Sequence, residues 1–296
     1  MTSTNKILNL NRINFKNRFR VLTYLFKTIF KIKTSQNEKN FYSFYCSLII
    51  PNAFLIKELD NAFIIQIKNN TNSKIKLRKI PSSDILVFSQ VFIWDEYLPV
   101  VKLYNKNFKN SIDYKLNIID AGSNIGLTSI YFLEHFNYAN VISIEPENEN
   151  FMMLEHNLNN NNFNISKPIE GGVWNSNKKL KIVNDFRDKS DWAFRVIETE
   201  ETVGIIQAYT INQLIIDNNF DIIDILKIDI EGSEKEVFTS QNANLEFLKI
   251  TKLIAIEIHD EFNCREHINK ILEDYGFDCI EKGQTTIGIN RFLFNN

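Results

Sequence analysis

The amino-acid sequence predicts an α/β fold, built on a doubly wound sheet of seven strands that is mixed but mostly parallel, preceded by a helical and β-stranded appendage. From residue 116 onward, apolar runs typical of buried strands alternate with helical segments, which is the order found in a parallel sheet covered on both faces. The chain has 296 residues, 44% of them apolar, which suffices for one such domain and an appendage.

Residues 1–40 are basic and amphipathic. They hold nine Lys or Arg and one acid, Glu38, whereas the whole chain has a net charge of −2. Arg20 and Lys27 interrupt every apolar window, so we expect no segment of the about eighteen apolar residues that span a membrane. Nor do we expect a signal peptide. The pattern predicts a helix over 15–33 that either docks on the body or an oligomer partner, or lies on an anionic membrane surface.

Residues 41–112 are expected to form an accessory region. Short alternating segments at 47–50, 62–67 and 74–80 predict a small antiparallel sheet. The polar run 81–84 is typical of the start of a helix. We therefore expect three parts, namely the basic segment 1–40, the accessory region 41–112 and the main domain 113–296.

The main domain accounts for the seven strands. We expect them at 116–120, 141–145, 165–170, 222–229, 253–258, 278–281 and 286–294. Helices are expected at 125–136, 148–158 and 211–218, from 233, and at 261–275. Residues near 178–210 interrupt this order with extended segments at 179–183, 192–197 and 203–209, which we interpret as an antiparallel insertion on one edge of the sheet.

The first strand of this domain runs into a glycine loop that suits a nucleotide-like cofactor. Gly122 and Gly126 let the backbone approach a ligand, and a helix opening at Ile125 would offer N–H groups to an anion. A dinucleotide site has the pattern GxGxxG, but here Asn124 takes the middle position, so no pyrophosphate is expected. Asp120 could hold a cationic group, so the loop suits S-adenosylmethionine. The alternative is that the glycines only form a turn.

The second strand ends in Glu145, where a βαβ cofactor site places the carboxylate that binds ribose. The third strand ends near the position expected for adenine. The predicted cofactor site comprises Asp120, Gly122, Ser123, Asn124 and Gly126 at the methionine end, Glu145 and Pro146 at the ribose, and Glu170 and Gly171 near the adenine.

A second cluster of charged residues follows the strand at 222–229. Strand alternation would put Lys227, Asp229 and Glu231 on one face if the extended conformation lasts that far. Buried charges are costly unless they are partnered. The next strand ends in Glu257 and His259, at the same carboxyl edge of the sheet. The alternative for Lys227 and Asp229 is an ion pair that only orients the strand.

Together these motifs resemble the FkbM family of S-adenosylmethionine-dependent methyltransferases. The matching residues, within a resemblance that covers about 81–260, are Asp120, Gly122, Asn124 and Gly126, then Glu145 and Pro146, then Lys227, Asp229, Glu231, Gly232 and Glu234, and finally Glu257 and His259. The resemblance implies the class I methyltransferase sheet and methyl transfer, most often to an oxygen of a sugar, glycan or polyketide-type natural product. The chain departs from the family at Gly171 and Gly172, where Ala-Ala is frequent.

Methyl transfer to a hydroxyl needs an in-line arrangement and a group that removes the proton. Asp229 and His259 are the candidate bases, Lys227 belongs to the same catalytic set, and Glu231 and Glu257 would orient these groups or bind acceptor hydroxyls. Mg²⁺ could bind here through Asp229, Glu257 and His259, although the spacing does not demand a metal.

Two other functions stay open. One is a metal-dependent glycosyltransferase that uses Asp229 and Glu231, and the other is an inactive methyltransferase fold that serves as a binding module. The expected partners are a small-molecule or glycan acceptor and no nucleic acid, with membrane contact and a homo-oligomer left open. The scattered Cys46, Cys264 and Cys279 are typical of a reducing compartment, hence a cytoplasmic protein.

Overall fold

The computed structural model describes residues 3–69, 71–108, 114–136, 138–161, 166–183 and 194–294. The chain forms two compact units, Met1–Glu96 and Tyr97–Asn296. The expected division at residue 40 stays a prediction, and the one at residue 112 lies outside the described residues. Among the residues that are described, no helix is long and apolar enough to span a membrane.

The first unit combines helices with a small antiparallel sheet. Its helices are α1 (Ser3–Leu8), α2 (Phe15–Ile29), α3 (Gln36–Ser47) and α4 (Asp84–Phe92). Its strands, in the order β1-β2-β3, are β1 (Ala53–Glu58), β2 (Ala62–Ile67) and β3 (Lys74–Arg78).

The prediction of a strand at 47–50 was wrong, because the helix α3 runs into this segment. Ser35 and Glu38 form a reciprocal capping box that starts α3. Phe41, Phe44 and Tyr45 are then buried at the spacing of a helix. Tertiary burial of these aromatic rings outweighs the short alternating pattern that follows them.

The second unit contains the remaining elements. Its helices are α5 (Leu98–Asn107), α6 (Leu127–His135), α7 (Asn148–Asn159), α8 (Ile211–Asp217), α9 (Glu234–Thr239) and α10 (Arg265–Asp274). Its strands are β4 (Asn117–Ala121), β5 (Asn140–Glu145), β6 (Ser166–Glu170), β7 (Gly172–Val173), β8 (Lys179–Val183), β9 (Arg195–Glu198), β10 (Ile206–Tyr209), β11 (Ile223–Ile228), β12 (Thr251–Glu257), β13 (Phe277–Lys282) and β14 (Thr285–Asn290).

Seven of these strands form the predicted sheet, in the order β13-β14-β12-β11-β4-β5-β6. All neighbours are parallel except β14, which is antiparallel to both β12 and β13. The fold class is therefore confirmed. The chain moves outward from β4 through β5 to β6 and later returns to the other side of β4 with β11. Ligands bind at such a switch point, outside the carboxyl ends of the strands.

The insertion forms a sheet of its own, in the order β7-β10-β8-β9. We expected antiparallel strands added to an edge of the main sheet. Instead β10 pairs parallel with β7 and antiparallel with β8, and a separate apolar cluster of Trp174, Leu180, Val196 and Ala208 stabilises this sheet. Trp192, at the start of the extended segment expected at 192–197, lies outside the described residues.

Candidate functional site

The loop after β4 is held by hydrogen bonds from its own backbone N–H groups. Gly122, Asn124 and Gly126 have φ angles of 77°, 49° and 83°. The five consecutive N–H groups of residues 122–126 all donate to nearby oxygens, namely Gly122 and Ser123 to the Ile144 carbonyl (3.0 and 2.9 Å), Asn124 to Glu145 Oε2 (2.8 Å), Ile125 to Asn124 Oδ1 (2.7 Å) and Gly126 to the Ser123 carbonyl (2.8 Å). Hydrogen bonds within the chain thus hold the conformation of the loop.

The helix that follows begins at Leu127, two residues later than we expected. Gly126 is in the left-handed conformation, which prevents the helix from starting at Ile125. The N–H of Ile125, which we expected to face an anion, instead bonds the side chain of Asn124.

Glu145 is buried beside this loop and accepts two backbone hydrogen bonds. Its Oε2 accepts from Asn124 N (2.8 Å) and its Oε1 accepts from Glu147 N (3.0 Å). Burial raises the pKa of Glu145 to about 7, although the two backbone bonds oppose this shift. Glu145 therefore holds the loop from the end of β5, and half-buried Pro146 follows it.

The remaining predicted cofactor residues lie at the same edge of the sheet. Ser123 is buried, and its Oγ donates to the Asp120 carbonyl (2.6 Å). Gly171 N donates to the Glu145 carbonyl (3.0 Å). The exposed Glu170 accepts from Asn148 Nδ2 (2.9 Å). The structure thus brings the ends of β4, β5 and β6 together.

Asp120 and Lys227 form a buried pair between neighbouring strands. They lie opposite each other in the register of β4 and β11, with Lys227 Nζ 3.2 Å from Asp120 Oδ1. Lys227 also donates to the Gly122 carbonyl (2.6 Å), and Ser129 Oγ donates to Asp120 Oδ2 (2.6 Å). Although burial opposes the charge, Asp120 raises the pKa of Lys227 above its usual range. The cation that Asp120 contacts in this structure is therefore Lys227.

The strand β11 ends at Ile228, so only Lys227 of the three charged residues lies in it. The expectation that Lys227, Asp229 and Glu231 share one strand face was wrong, because Glu231 takes a φ of 51° and Gly232 one of 95°. Asp229 and Glu231 lie in the loop that follows. Asp229 N still donates to the Ala121 carbonyl of β4 (3.0 Å), and the extended conformation does not continue to Glu231.

The two loops meet at Gly122. A Cβ built on Gly122 would lie 1.7 Å from the carbonyl oxygen of Asp229, so only glycine permits this approach. Lys227 Nζ lies 3.8 Å from Asp229 Oδ2, and the Asp229 side chain is 30% exposed. The glycine loop therefore adjoins an accessible carboxylate.

His259 lies among three carboxylates. Its Nδ1 is 3.1 Å from Glu234 Oε1, and its Nε2 is 3.3 Å from Glu231 Oε2 and 3.9 Å from Glu257 Oε1. Burial of the ring opposes its charge, but the hydrogen bonds to Glu231 and Glu234 raise the pKa of His259 to about 11. His259 is therefore an imidazolium at neutral pH, and in this form it cannot accept a proton.

Glu234 is a site residue that matched the family motif but was given no role from the sequence. It is fully buried, accepts from Ile230 N (3.0 Å) and contacts His259 Nδ1. The available signal was its place in the first turn of a helix, directly after Gly232 and Ser233. An acid in a first helical turn is commonly read as a partner of the helix dipole, so its contact with His259 could not be read from spacing alone.

Asp229, Glu231 and His259 each offer one ligand atom, and these atoms all lie within 4.8 Å of one another. This group contains Glu231, whereas the sequence suggested Glu257 as the second carboxylate for a metal. A histidine ligand must be neutral, so a cation at this cluster would have to displace the proton of His259.

Comparison with known proteins finds methyltransferases both by family and by sequence. The model of the methyltransferase FkbM domain matches residues 120–279, more than half of the chain. The methyltransferase sdnD of Sordaria araneosa is 25% identical over 192 residues, which covers 54% of this chain and 73% of that relative.

The solved structures that align with this chain share less sequence with it. The precorrin-6y C5,15-methyltransferase of Geobacter metallireducens GS-15 aligns with a TM-score of 0.36 at 10% identity, over 64% of this chain and 86% of its own. TYW2 of M. jannaschii, solved with AdoMet, aligns with a TM-score of 0.35 at 12% identity, over 79% of this chain and 87% of its own. Neither likeness bears on function.

Proposed function

The chain belongs to the FkbM family of methyltransferases, and from this premise we propose that it transfers the methyl group of S-adenosylmethionine to a hydroxyl oxygen of a sugar, glycan or natural product. Dependence on S-adenosylmethionine follows from the family, whereas the oxygen and the class of acceptor are the proposal. The curated relative is a methyltransferase too. These findings do not support a glycosyltransferase or an inactive binding module.

The observation that supports this function most strongly is the contact between the two loops at Gly122. The glycine loop after β4 and the loop that carries Asp229 approach so closely that a Cβ would lie 1.7 Å from a carbonyl oxygen. A methyl donor bound at the first loop would therefore present its sulfonium next to an accessible carboxylate. Such proximity is what an in-line displacement requires.

On the cofactor side, we assign the methionine end to the loop 120–126 and the ribose to Glu145. The ribose hydroxyls would bond the Glu145 carboxylate. Asp120 would act through the loop rather than by direct contact, because it is fully buried and pairs with Lys227. Glu170 and Gly171 would lie near the adenine.

On the acceptor side, we assign the base to Asp229, since His259 carries its proton at neutral pH. The Asp229 carboxylate would take the proton of the acceptor hydroxyl. When bound, S-adenosylmethionine would supply the methyl group, and its sulfonium would leave as a neutral thioether. His259 would position Glu231 and Glu257, which would hold acceptor hydroxyls.

The side chains of Asp229, Glu231 and His259 decide whether Mg²⁺ can bind at this cluster. Because both ring nitrogens of His259 face carboxylates, Nδ1 that of Glu234 and Nε2 that of Glu231, we propose that turnover needs no resident cation. Turnover after treatment with EDTA should equal that of the untreated enzyme. A loss that Mg²⁺ restores would contradict this part of the proposal.

The proposal is tested with S-adenosylmethionine labelled in its methyl group and a panel of sugar and polyhydroxylated acceptors. We expect label in a product that survives mild base, because methyl ethers resist the hydrolysis that removes methyl esters. Label on nitrogen or carbon would contradict the assignment to oxygen. Binding of a sugar nucleotide only in the presence of Mn²⁺, without methyl transfer, would contradict the function as a whole.

A further inference from the structure

The helix α2 presents apolar side chains to solvent on the side away from its packed face. Phe15, Phe19, Leu22, Phe26, Ile29 and Phe30 form an apolar stripe on α2 and the residue after it, and their exposed fractions run from 42% to 74%. Successive members are separated by four, three, four and three residues up to Ile29, which places them along one side of an α-helix. Large exposed apolar patches on soluble proteins mark sites of interaction.

The opposite side of α2 already packs within its own unit. Asn17 and Val21 are buried, and each lies two residues, or about 200° around the helix, from a member of the stripe. Asn17 Nδ2 donates to Glu58 Oε2 (3.0 Å), and the Tyr24 ring stacks on Tyr42 with centroids 4.4 Å apart. The stripe is therefore not the face that attaches α2 to its unit.

Positive charge borders this stripe. Lys16 follows its first member, and Lys31 and Lys33 follow its last, and all three are exposed. Residues 1–37 contain eight Lys or Arg, and the first acid of the chain is Glu38. A second copy of the same surface would bring like charges together, whereas an anionic surface would attract them. The positive charge around the stripe therefore favours contact with an anionic surface over contact with a second copy of the chain.

We propose that the apolar stripe of α2 docks on an anionic lipid surface. The helix would lie in the interface with its phenylalanines among the acyl chains and its lysines at the headgroups, as amphipathic helices with aromatic and basic residues do. With 15 residues, α2 is shorter than the about 20 that cross a bilayer. The lipid surface would hold the protein peripherally through its first unit. This proposal is independent of the proposed methyl transfer.

The test is co-sedimentation of the full chain with vesicles. Vesicles of phosphatidylcholine mixed with phosphatidylserine should bind the protein at least about tenfold more tightly than phosphatidylcholine alone, and added salt should weaken this binding. The variant Phe15→Ser/Phe19→Ser/Phe26→Ser should lose about tenfold or more in affinity. Lys16→Ala/Lys31→Ala/Lys33→Ala should lose a similar factor for the anionic vesicles alone.

The matched control is Ile50→Ser/Ile56→Ser, which removes two exposed isoleucines from the same unit and should leave vesicle binding unchanged. Cooperative thermal unfolding of every variant verifies that each one folds. The proposal is overturned if the wild type ignores anionic vesicles, binds neutral ones equally well, or binds as before without the three phenylalanines. A dimer that the serine variant loses, in a protein that ignores vesicles, would assign the stripe to a second copy.

Discussion

The two loops that meet at Gly122 are held by different forces. The loop after β4 is fixed by the N–H groups of residues 122–126, which bond main-chain oxygens and two side chains. The cluster around His259 is fixed by charge, through Glu231, Glu234 and Glu257. The bonds of the first loop to main-chain oxygens change little with pH, whereas its bond to Glu145, whose pKa is about 7, and the charge pairs around His259 depend on protonation. The cofactor side should therefore respond to steric changes and to the loss of Glu145, and the acceptor side to changes of charge.

The largest effect is expected for a steric change in the first loop. Gly122→Ala should abolish cofactor binding and lower the free energy of unfolding by about 3 kcal/mol, because a Cβ adds both overpacking and a strained φ. Gly283→Ala is the control, since Gly283 has a φ of 63° and its Cβ would meet no described atom within 4 Å. It should cost about 1 kcal/mol. Urea unfolding measures the free energy of unfolding of both variants. Equal losses would show that the strained φ angle, and not overpacking at Gly122, causes the effect.

On the acceptor side, Asp229→Asn should leave cofactor affinity nearly unchanged and lower kcat by about 10²–10⁴-fold, because the amide cannot take the proton. Single-turnover methyl transfer with saturating cofactor measures this. Asp260→Asn is the control, since Asp260 is an exposed carboxylate that follows the neighbouring strand β12 and pairs with Arg265. A loss of cofactor affinity equal to the loss of kcat would assign Asp229 to the cofactor instead.

Charge in the His259 cluster should make stability depend on pH. The folded pKa of about 11 lies above the usual value of 6.5, so the folded state binds more protons between these values. The stabilisation is complete below about pH 6.5 and is lost as the pH rises through the folded pKa. We expect the free energy of unfolding to fall by about 4 kcal/mol between about pH 7 and pH 10.

The control for this pH dependence is a pair of variants followed by urea unfolding across the same range. His259→Asn should flatten the slope, whereas His267→Asn, on the exposed side of α10, should leave it as in the wild type. A slope that persists in His259→Asn would show that other groups produce it.

The same contrast explains what the sequence could predict. The strands of the main sheet were predicted to within a few residues, because buried parallel strands such as β11 are continuous apolar runs. The loop with Gly122 was predicted because a backbone that needs glycine leaves glycine in the sequence. The contacts of His259 with Glu231 and Glu234 join residues 25 or more positions apart, which spacing does not encode.

The first unit shows the other limit of prediction. The alternating segment at 47–50 had the pattern of a strand, yet the buried Phe44 and Tyr45 next to it extend α3 through Ser47. Short patterns are decided by the tertiary contacts of their neighbours. The strand was also expected to reach Asp229 and Glu231, but it ends at Ile228 and is followed by the left-handed conformations of Glu231 and Gly232.

The most direct test of the whole account is a calorimetric titration with S-adenosylhomocysteine, the demethylated product. We expect micromolar binding by the wild type, and binding weaker by about tenfold or more in Glu145→Ala, because the ribose carboxylate and an anchor of the loop are lost together. Glu155→Ala, an exposed acid on α7, should bind as the wild type does. Unchanged affinity in Glu145→Ala, or binding only of a sugar nucleotide with Mn²⁺, would contradict the account.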